Sequence, residues 1–190
     1  MRTFIAIELP EQIKDSLAKL QEELKSSGAD VKWVEPRNIH LTLKFLGERD
    51  DKKVKRITEI LEEVALNHRT FQAKIDSLGG FPNLHSPRVI WVGISQGDGE
   101  TKAIAQDLEE NICKVGIPKE DRPFSSHITI GRTRSPVGKD KLAQAITVSA
   151  EEIRKENLEF TVGLITLFKS TLTPKGPIYE VLKAASLKTS

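Results

Sequence analysis

One order of elements occurs twice along this chain, and that repetition limits its possible folds more than any other feature. Thr3–Leu9 has the apolar character of a strand, Ile13, Leu17, Leu20 and Leu24 recur at helical spacing, and His40-Leu-Thr-Leu follows. Val89–Ile94 is again strand-like, Ile104, Leu108 and Ile112 mark a helix, and His127-Ile-Thr-Ile follows. The histidines, at 40 and 127, are spaced by 87 residues, and the opening strands, at 3 and 89, by 86. Strand, helix, His-x-Thr strand, helix, strand therefore recurs at nearly one offset. This points to an internal duplication, a single domain of two similar lobes at approximately residues 1–80 and 88–185.

The remaining segments fit that frame. Pro10 opens the first helix and Gly28 stops it. Lys32–Val34 and Asn38–Leu46 read as extended, with a break at Pro36 and an end at Gly47. Val54, Ile57, Leu61 and Val64 mark a helix, Phe71–Leu78 a strand and Gly79–Arg88 a loop. In the second half Gly97–Gly99 reads as a turn and Gly138–Ile146 and Glu151–Glu156 as two helical pieces. Leu158–Phe168 and Ile178–Ala184 read as strands joined through Pro174, Lys175, Gly176 and Pro177. Alternation of strands and helices by itself favours a parallel αβ sheet.

On a strand, side chains two apart share a face. His40 and Thr42 therefore point one way, while Leu41 and Leu43 point toward a core; His127 and Thr129 stand likewise against Ile128 and Ile130. Two imidazoles can serve as general acid and general base near neutral pH, and two hydroxyls can donate to the non-bridging oxygens of a phosphoryl group. That set is suited to in-line attack on a phosphodiester. No metal site stands out, because Cys113 is the lone cysteine and no His-x-x-x-His or carboxylate cluster accompanies the motifs, and a metal-independent reaction is expected. Gly97-Asp-Gly-Glu-Thr-Lys lacks the spacing of a P-loop, which argues against ATP, and no cofactor is expected.

Composition excludes several classes. With 38% apolar and 29% charged residues, the 190-residue chain is globular rather than disordered, and a net charge of +2 is too small for a long-duplex binder. No apolar run is long enough to span a membrane, and the opening residues are too interrupted for a signal peptide, so the expected location is cytoplasmic.

His40-Leu-Thr-Leu-Lys-Phe-Leu-Gly and His127-Ile-Thr-Ile-Gly-Arg resemble the signatures of the two-histidine phosphoesterase superfamily, closest to the RNA 2′,3′-cyclic phosphodiesterases, also called 2′-5′ RNA ligases. Arg2-Thr-Phe-Ile-Ala-Ile, Lys32-Trp-Val-Glu-Pro-Arg-Asn-Ile, Phe81 with Pro87-Arg-Val-Ile-Trp-Val-Gly, and Ser170-Thr-Leu…Gly176-Pro-Ile-Tyr-Glu-Val-Leu extend the resemblance over most of the chain. Ser126 departs from it, since the family usually has proline before the second histidine. The resemblance implies a bilobed α+β fold, each lobe an antiparallel sheet backed by helices, with the active-site cleft between them. It implies hydrolysis of RNA 2′,3′-cyclic phosphate ends to 2′-phosphates, with reversible 2′-5′ ligation as a side activity. It also implies His40 as proton donor and His127 as proton acceptor, roles that residue types alone leave open. Thr42 and Thr129 would bind phosphate. Partners would be RNA ends, tRNA fragments among them, or small cyclic nucleotides, acted on by a monomer. A phosphodiesterase for 2′-5′ oligoadenylates or another small cyclic phosphate, and a non-catalytic RNA-end binder, are the alternatives.

Phe45 and Arg132 each follow a histidine by five residues, where the resemblance implies a pair that sandwiches the nucleobase. Strict alternation puts both on the face away from the histidines, and only a bulge would bring them back. The same alternation puts Lys44 on the His40 face. His68 is expected to cap a helix end, His85 to be solvated, Trp33 and Trp91 to pack in the cores, and Tyr179 to be half-buried on a strand.

Overall fold

The computed structural model describes residues 1–189. In chain order the strands are β1 (Arg2–Glu8), β2 (Val31–Trp33), β3 (His40–Glu48), β4 (Phe71–Phe81), β5 (Val89–Ile94), β6 (His127–Thr133), β7 (Leu158–Val162), β8 (Leu164–Thr173) and β9 (Gly176–Ser186). The helices are α1 (Glu11–Lys25), α2 (Asp51–Asn67), α3 (Asp98–Cys113) and α4 (Lys139–Lys155), with a 3-10 turn at Pro36–Asn38. The apolar series read from the sequence are the buried faces: Ile13, Leu17, Leu20 and Leu24 on α1, and Ile57, Leu61 and Val64 on α2. Asp50 caps α2 by accepting from the Lys53 amide at 2.8 Å.

Two antiparallel sheets result, ordered β3-β1-β8-β9 and β2-β6-β5-β4-β7. The α+β architecture expected from the resemblance is present, and the parallel sheet suggested by alternation is not. The reason is an extra segment of chain between each helix and its histidine strand. β2 supplies it in the first half and residues 114–126 in the second, so β3 and β6 enter against the direction of β1 and β5. Helix α2 packs behind β8 and β9 and α3 behind β3, while α4 lies on β4 and α1 meets β7.

The two sheets are not the two halves of the sequence. The first half's closing strand, β4, pairs with β5, and β8 of the second half pairs with β1. Three segments differ from the sequence reading. Leu158–Phe168 is not one strand but two, because at Gly163 the chain leaves one sheet and enters the other. The two helical pieces after Gly138 form the single helix α4, and β4 runs on through Gly79 and Gly80 to Phe81. Those glycines have a packing purpose: a Cβ at Gly79 would lie 2.6 Å from the Trp91 ring. Trp91 therefore lies against the sheet face beside Phe81, ring centroids 5.1 Å apart, instead of in the core.

Candidate active site

The two histidine strands contact each other across the sheets, β3 at the edge of one and β6 inside the other. Each is locked in the same way. The His40 Nδ1 lies 2.7 Å from the Asn38 carbonyl and the His127 Nδ1 lies 2.9 Å from the Ser125 carbonyl. A carbonyl only accepts, so Nδ1 carries the hydrogen in both rings and Nε2 is the atom left for chemistry. His40 Nε2 accepts from the Thr42 hydroxyl at 2.9 Å. Ser126, the residue that departs from the family pattern, is buried just before His127 and leaves the Ser125 carbonyl in place.

Burial holds both imidazoles below their ordinary pKa. For His40 the Asn38 carbonyl opposes that shift and the Lys14 charge adds to it. For His127 the Ser125 carbonyl opposes and Arg132 adds. Burial therefore favours the neutral form of both rings in the free protein.

The floor beneath His40 is aromatic. β1 is apolar on both faces: Ile5 and Ile7 meet the main core, while Phe4 and Ala6 turn to the cleft with Phe168 and Tyr179. Phe4 lies 4.9 Å from the His40 ring, 5.2 Å from Phe168 and 4.9 Å from Tyr179. Tyr179 meets His40 edge-on at 5.4 Å, and Phe81 meets His127 in the same manner at 5.2 Å. The turn between β8 and β9 is held beside His40, because the Asn38 side-chain amide donates to the Pro177 carbonyl at 3.0 Å. Sequence reasoning passes over Phe4 and Asn38. The signal for Phe4 is present, since a strand apolar at every position from Phe4 to Ile7 must be covered on both faces.

Strict alternation fails at Phe45, Arg132 and Lys44, each time because of a bulge. On β3, Thr42 faces Ala6 and Lys44 faces Ile5, which leaves Leu43 as an extra residue. On β6, Thr129 faces Trp91 and Gly131 faces Ile90, which leaves Ile130 extra. Both bulges fall three residues after a histidine, and each reverses the facing of the residues beyond it. Phe45 is thereby on the His40 face, 58% exposed and 6.5 Å from Phe4. Arg132 is exposed on the His127 face. Lys44 is turned behind the sheet, 2% exposed, where its Nζ bonds Glu109 Oε2 at 2.6 Å and so ties the bulge to α3. Elsewhere, His68 links the end of α2 to Asp107 of α3 at 3.0 Å, and His85 is exposed in its loop. Trp33 packs against the main core. Among the described residues no three His, Cys, Asp or Glu side chains converge as a metal ligand set. No helix among them is long and apolar enough to cross a membrane.

The model of the LigT-like phosphoesterases matches this chain twice in succession, at residues 7–91 and 92–179. The chain belongs to the LigT-like phosphoesterase family. It is 40% identical to the RNA 2′,3′-cyclic phosphodiesterase of Methanocaldococcus jannaschii, over 96% of this chain and 99% of that protein. A crystal structure from Thermus thermophilus superposes with a TM-score of 0.81 at 29% identity, covering 98% of each chain. Escherichia coli LigT complexed with 3′-AMP superposes at 0.78 and 25% identity, covering 98% of this chain and 97% of that one. The family's two-lobed α+β architecture is the one described above.

Proposed function

We propose that this protein opens RNA 2′,3′-cyclic phosphate ends to 2′-phosphates, with His40 as general acid and His127 as general base. The observation that carries the reading is the paired arrangement: two imidazoles with Nδ1 fixed on a carbonyl and Nε2 left for proton transfer, on strands that meet across the cleft. His127 Nε2 takes a proton from water as its oxygen bonds to phosphorus. The P–O3′ bond breaks on the opposite side, and protonated His40 Nε2 supplies the proton to O3′. When His40 is protonated, its Nε2 no longer accepts from Thr42, so the Thr42 hydroxyl is released to donate to a phosphate oxygen while the Nε2 hydrogen faces O3′. Thr129 on the other strand occupies the equivalent place. With the 5′-hydroxyl of another RNA in place of water as the nucleophile, the same forward steps make a 2′-5′ linkage, and their reversal cleaves it. We take the two halves as products of one duplication, which the two successive family matches support.

The test is to incubate the purified protein with 2′,3′-cyclic AMP and identify the isomer formed. 2′-AMP supports the reading, while 3′-AMP or no product refutes it. A strong preference for 2′-5′ oligoadenylates in the same assay would establish the alternative substrate.

The depressed histidine pKa values set a pH dependence. One ring must be protonated and the other neutral, so kcat/KM follows the singly protonated free enzyme. With both values below about 6.5, its bell is expected to centre on the acid side of that value. Bound phosphate carries a negative charge that favours imidazolium, so the bell for kcat is expected at higher pH. Superimposable kcat and kcat/KM profiles centred above pH 7 would contradict the assignment.

For Phe45 and Arg132 we propose stacking on the terminal nucleobase, supported by the two bulges that turn both toward the cleft. Stacking holds substrate and transition state alike, so Phe45→Ala and Arg132→Ala should raise KM with less effect on kcat. A loss of about 1–3 kcal/mol per contact is expected. Phe45→Ala with a lower Tm but unchanged KM would make Phe45 a packing residue only.

A further inference from the structure

Two segments that carry the family resemblance, far apart in sequence and unused in the mechanism above, meet in one row of the sheet. Arg2 of β1 lies opposite Ser170 of β8, and Ser170 lies opposite Tyr179 of β9. All three are on the face that carries Phe4 and His40, since Arg2 and Phe4 are two apart on β1 and Phe4 is paired with Phe168. Four residues of strand, about 13 Å, separate Arg2 from Ala6, the partner of Thr42. That span is longer than one nucleotide step. The Arg2 end of the row is therefore reached by chain upstream of the terminal nucleotide, while the Tyr179 ring leans back to 5.4 Å from the His40 ring.

The polar groups of this row lack protein partners. Among the described residues, no ion pair or side-chain hydrogen bond includes Arg2, Ser170 or Tyr179, in a surface where many lysines and arginines are paired with carboxylates. The row's fourth member, Glu48, opposes Arg2 on β3, but its carboxylate lies 3.4 Å from the N-terminal ammonium. The Tyr179 ring is fixed by Phe4 and His40, which leaves its hydroxyl without a bond of its own. Burial raises the Tyr179 pKa and the charges of Arg2 and Arg132 oppose the shift, so both guanidinium groups act on the space around this phenol. A guanidinium and two hydroxyl donors, all unpaired, form a binding set for the non-bridging oxygens of a phosphodiester.

We propose that Arg2, Ser170 and Tyr179 form a second phosphate subsite, which takes the phosphodiester on the 5′ side of the terminal nucleotide. The preferred substrate is then an oligoribonucleotide end, and a mononucleotide cyclic phosphate fills only part of the site. This rests on the reading of the cleft as a cyclic phosphodiesterase. The subsite contacts backbone and not base edges, so it is tolerant of sequence and sensitive to salt.

The test compares kcat/KM for 2′,3′-cyclic AMP and for a tri-adenylate ending in a 2′,3′-cyclic phosphate. The oligonucleotide should be favoured by about tenfold, as for one charge-assisted contact, and the advantage should shrink as salt rises. Arg2→Gln should remove most of the advantage through KM on the oligonucleotide, and Arg2→Lys should restore part of it. Tyr179→Phe, which keeps the ring against His40, should act in the same direction. Equal kcat/KM for the two substrates in the unmodified protein overturns the subsite. So does an Arg2→Gln loss that is the same on both, which marks a structural role. If neither substrate is opened, the phosphodiesterase reading falls, and the subsite with it.

Discussion

His40→Ala and His127→Ala are each expected to lower kcat by about 10²–10⁴-fold while leaving the fold intact. Both rings lie at the cleft and are only partly buried, so alanine leaves no cavity in the main core. Each variant should also lose one limb of the pH profile in whatever activity remains, because the missing limb belongs to the missing ring. Circular dichroism and melting curves verify folding, and single-turnover rates isolate the chemical step. A chelator should leave the unmodified protein's rate unchanged. Activity that vanishes in EDTA and returns with a divalent ion would refute two-histidine catalysis, as would a His127→Ala variant of undiminished kcat.

Thr42→Val and Thr129→Val should each cost about 2–4 kcal/mol of transition-state stabilisation, seen mainly in kcat because the lost donor serves a charge that grows during reaction. Valine keeps the shape of threonine and its strand preference, so folding is not at issue. The two variants should differ in one respect. Thr42 bonds His40 Nε2 in the free protein, whereas Thr129 has no such bond to His127 among the described residues. Thr42→Val should therefore displace one limb of the kcat/KM profile, and Thr129→Val should lower the curve without moving it. Full activity in the Thr42→Val, Thr129→Val double variant would remove the hydroxyls from the mechanism.

The site's centre is legible in the sequence because it depends on a purely local rule. A period of two puts each histidine with its threonine and each leucine or isoleucine behind, whatever the strand pairs with. The facing of Phe45, Arg132 and Lys44 is not legible, because a bulge is a relation between two strands. Leu43 and Ile130 become extra residues only against β1 and β5, and no pattern within β3 or β6 announces that. The switch at Gly163 is concealed for a similar reason. Leu158 to Phe168 is apolar enough to read as one strand, and a lone glycine there does not distinguish a weak point from a passage between sheets. Size alone assigns Trp91 to a core, yet the bare backbone of Gly79 and Gly93 offers it a place on the cleft face.

The routing of the chain between the sheets has a mechanical consequence. Passing from β1 to β2, β2 to β3, β3 to β4 and β7 to β8, it crosses from one lobe to the other four times, and the last passage is a single glycine long. Two lobes sewn together in this way and packed on one shared apolar core, with Ile5 and Ile7 of one sheet beside Ile90 and Ile128 of the other, cannot swing apart about a hinge, as domains joined by one or two linkers do, without exposing that core. The gap between His40 and His127 is therefore set once, when the protein folds, and not with every turnover. The proposed proton donor and acceptor are then expected to be aligned in the resting molecule, with entry of an RNA end along an open side and product departure without an opening step.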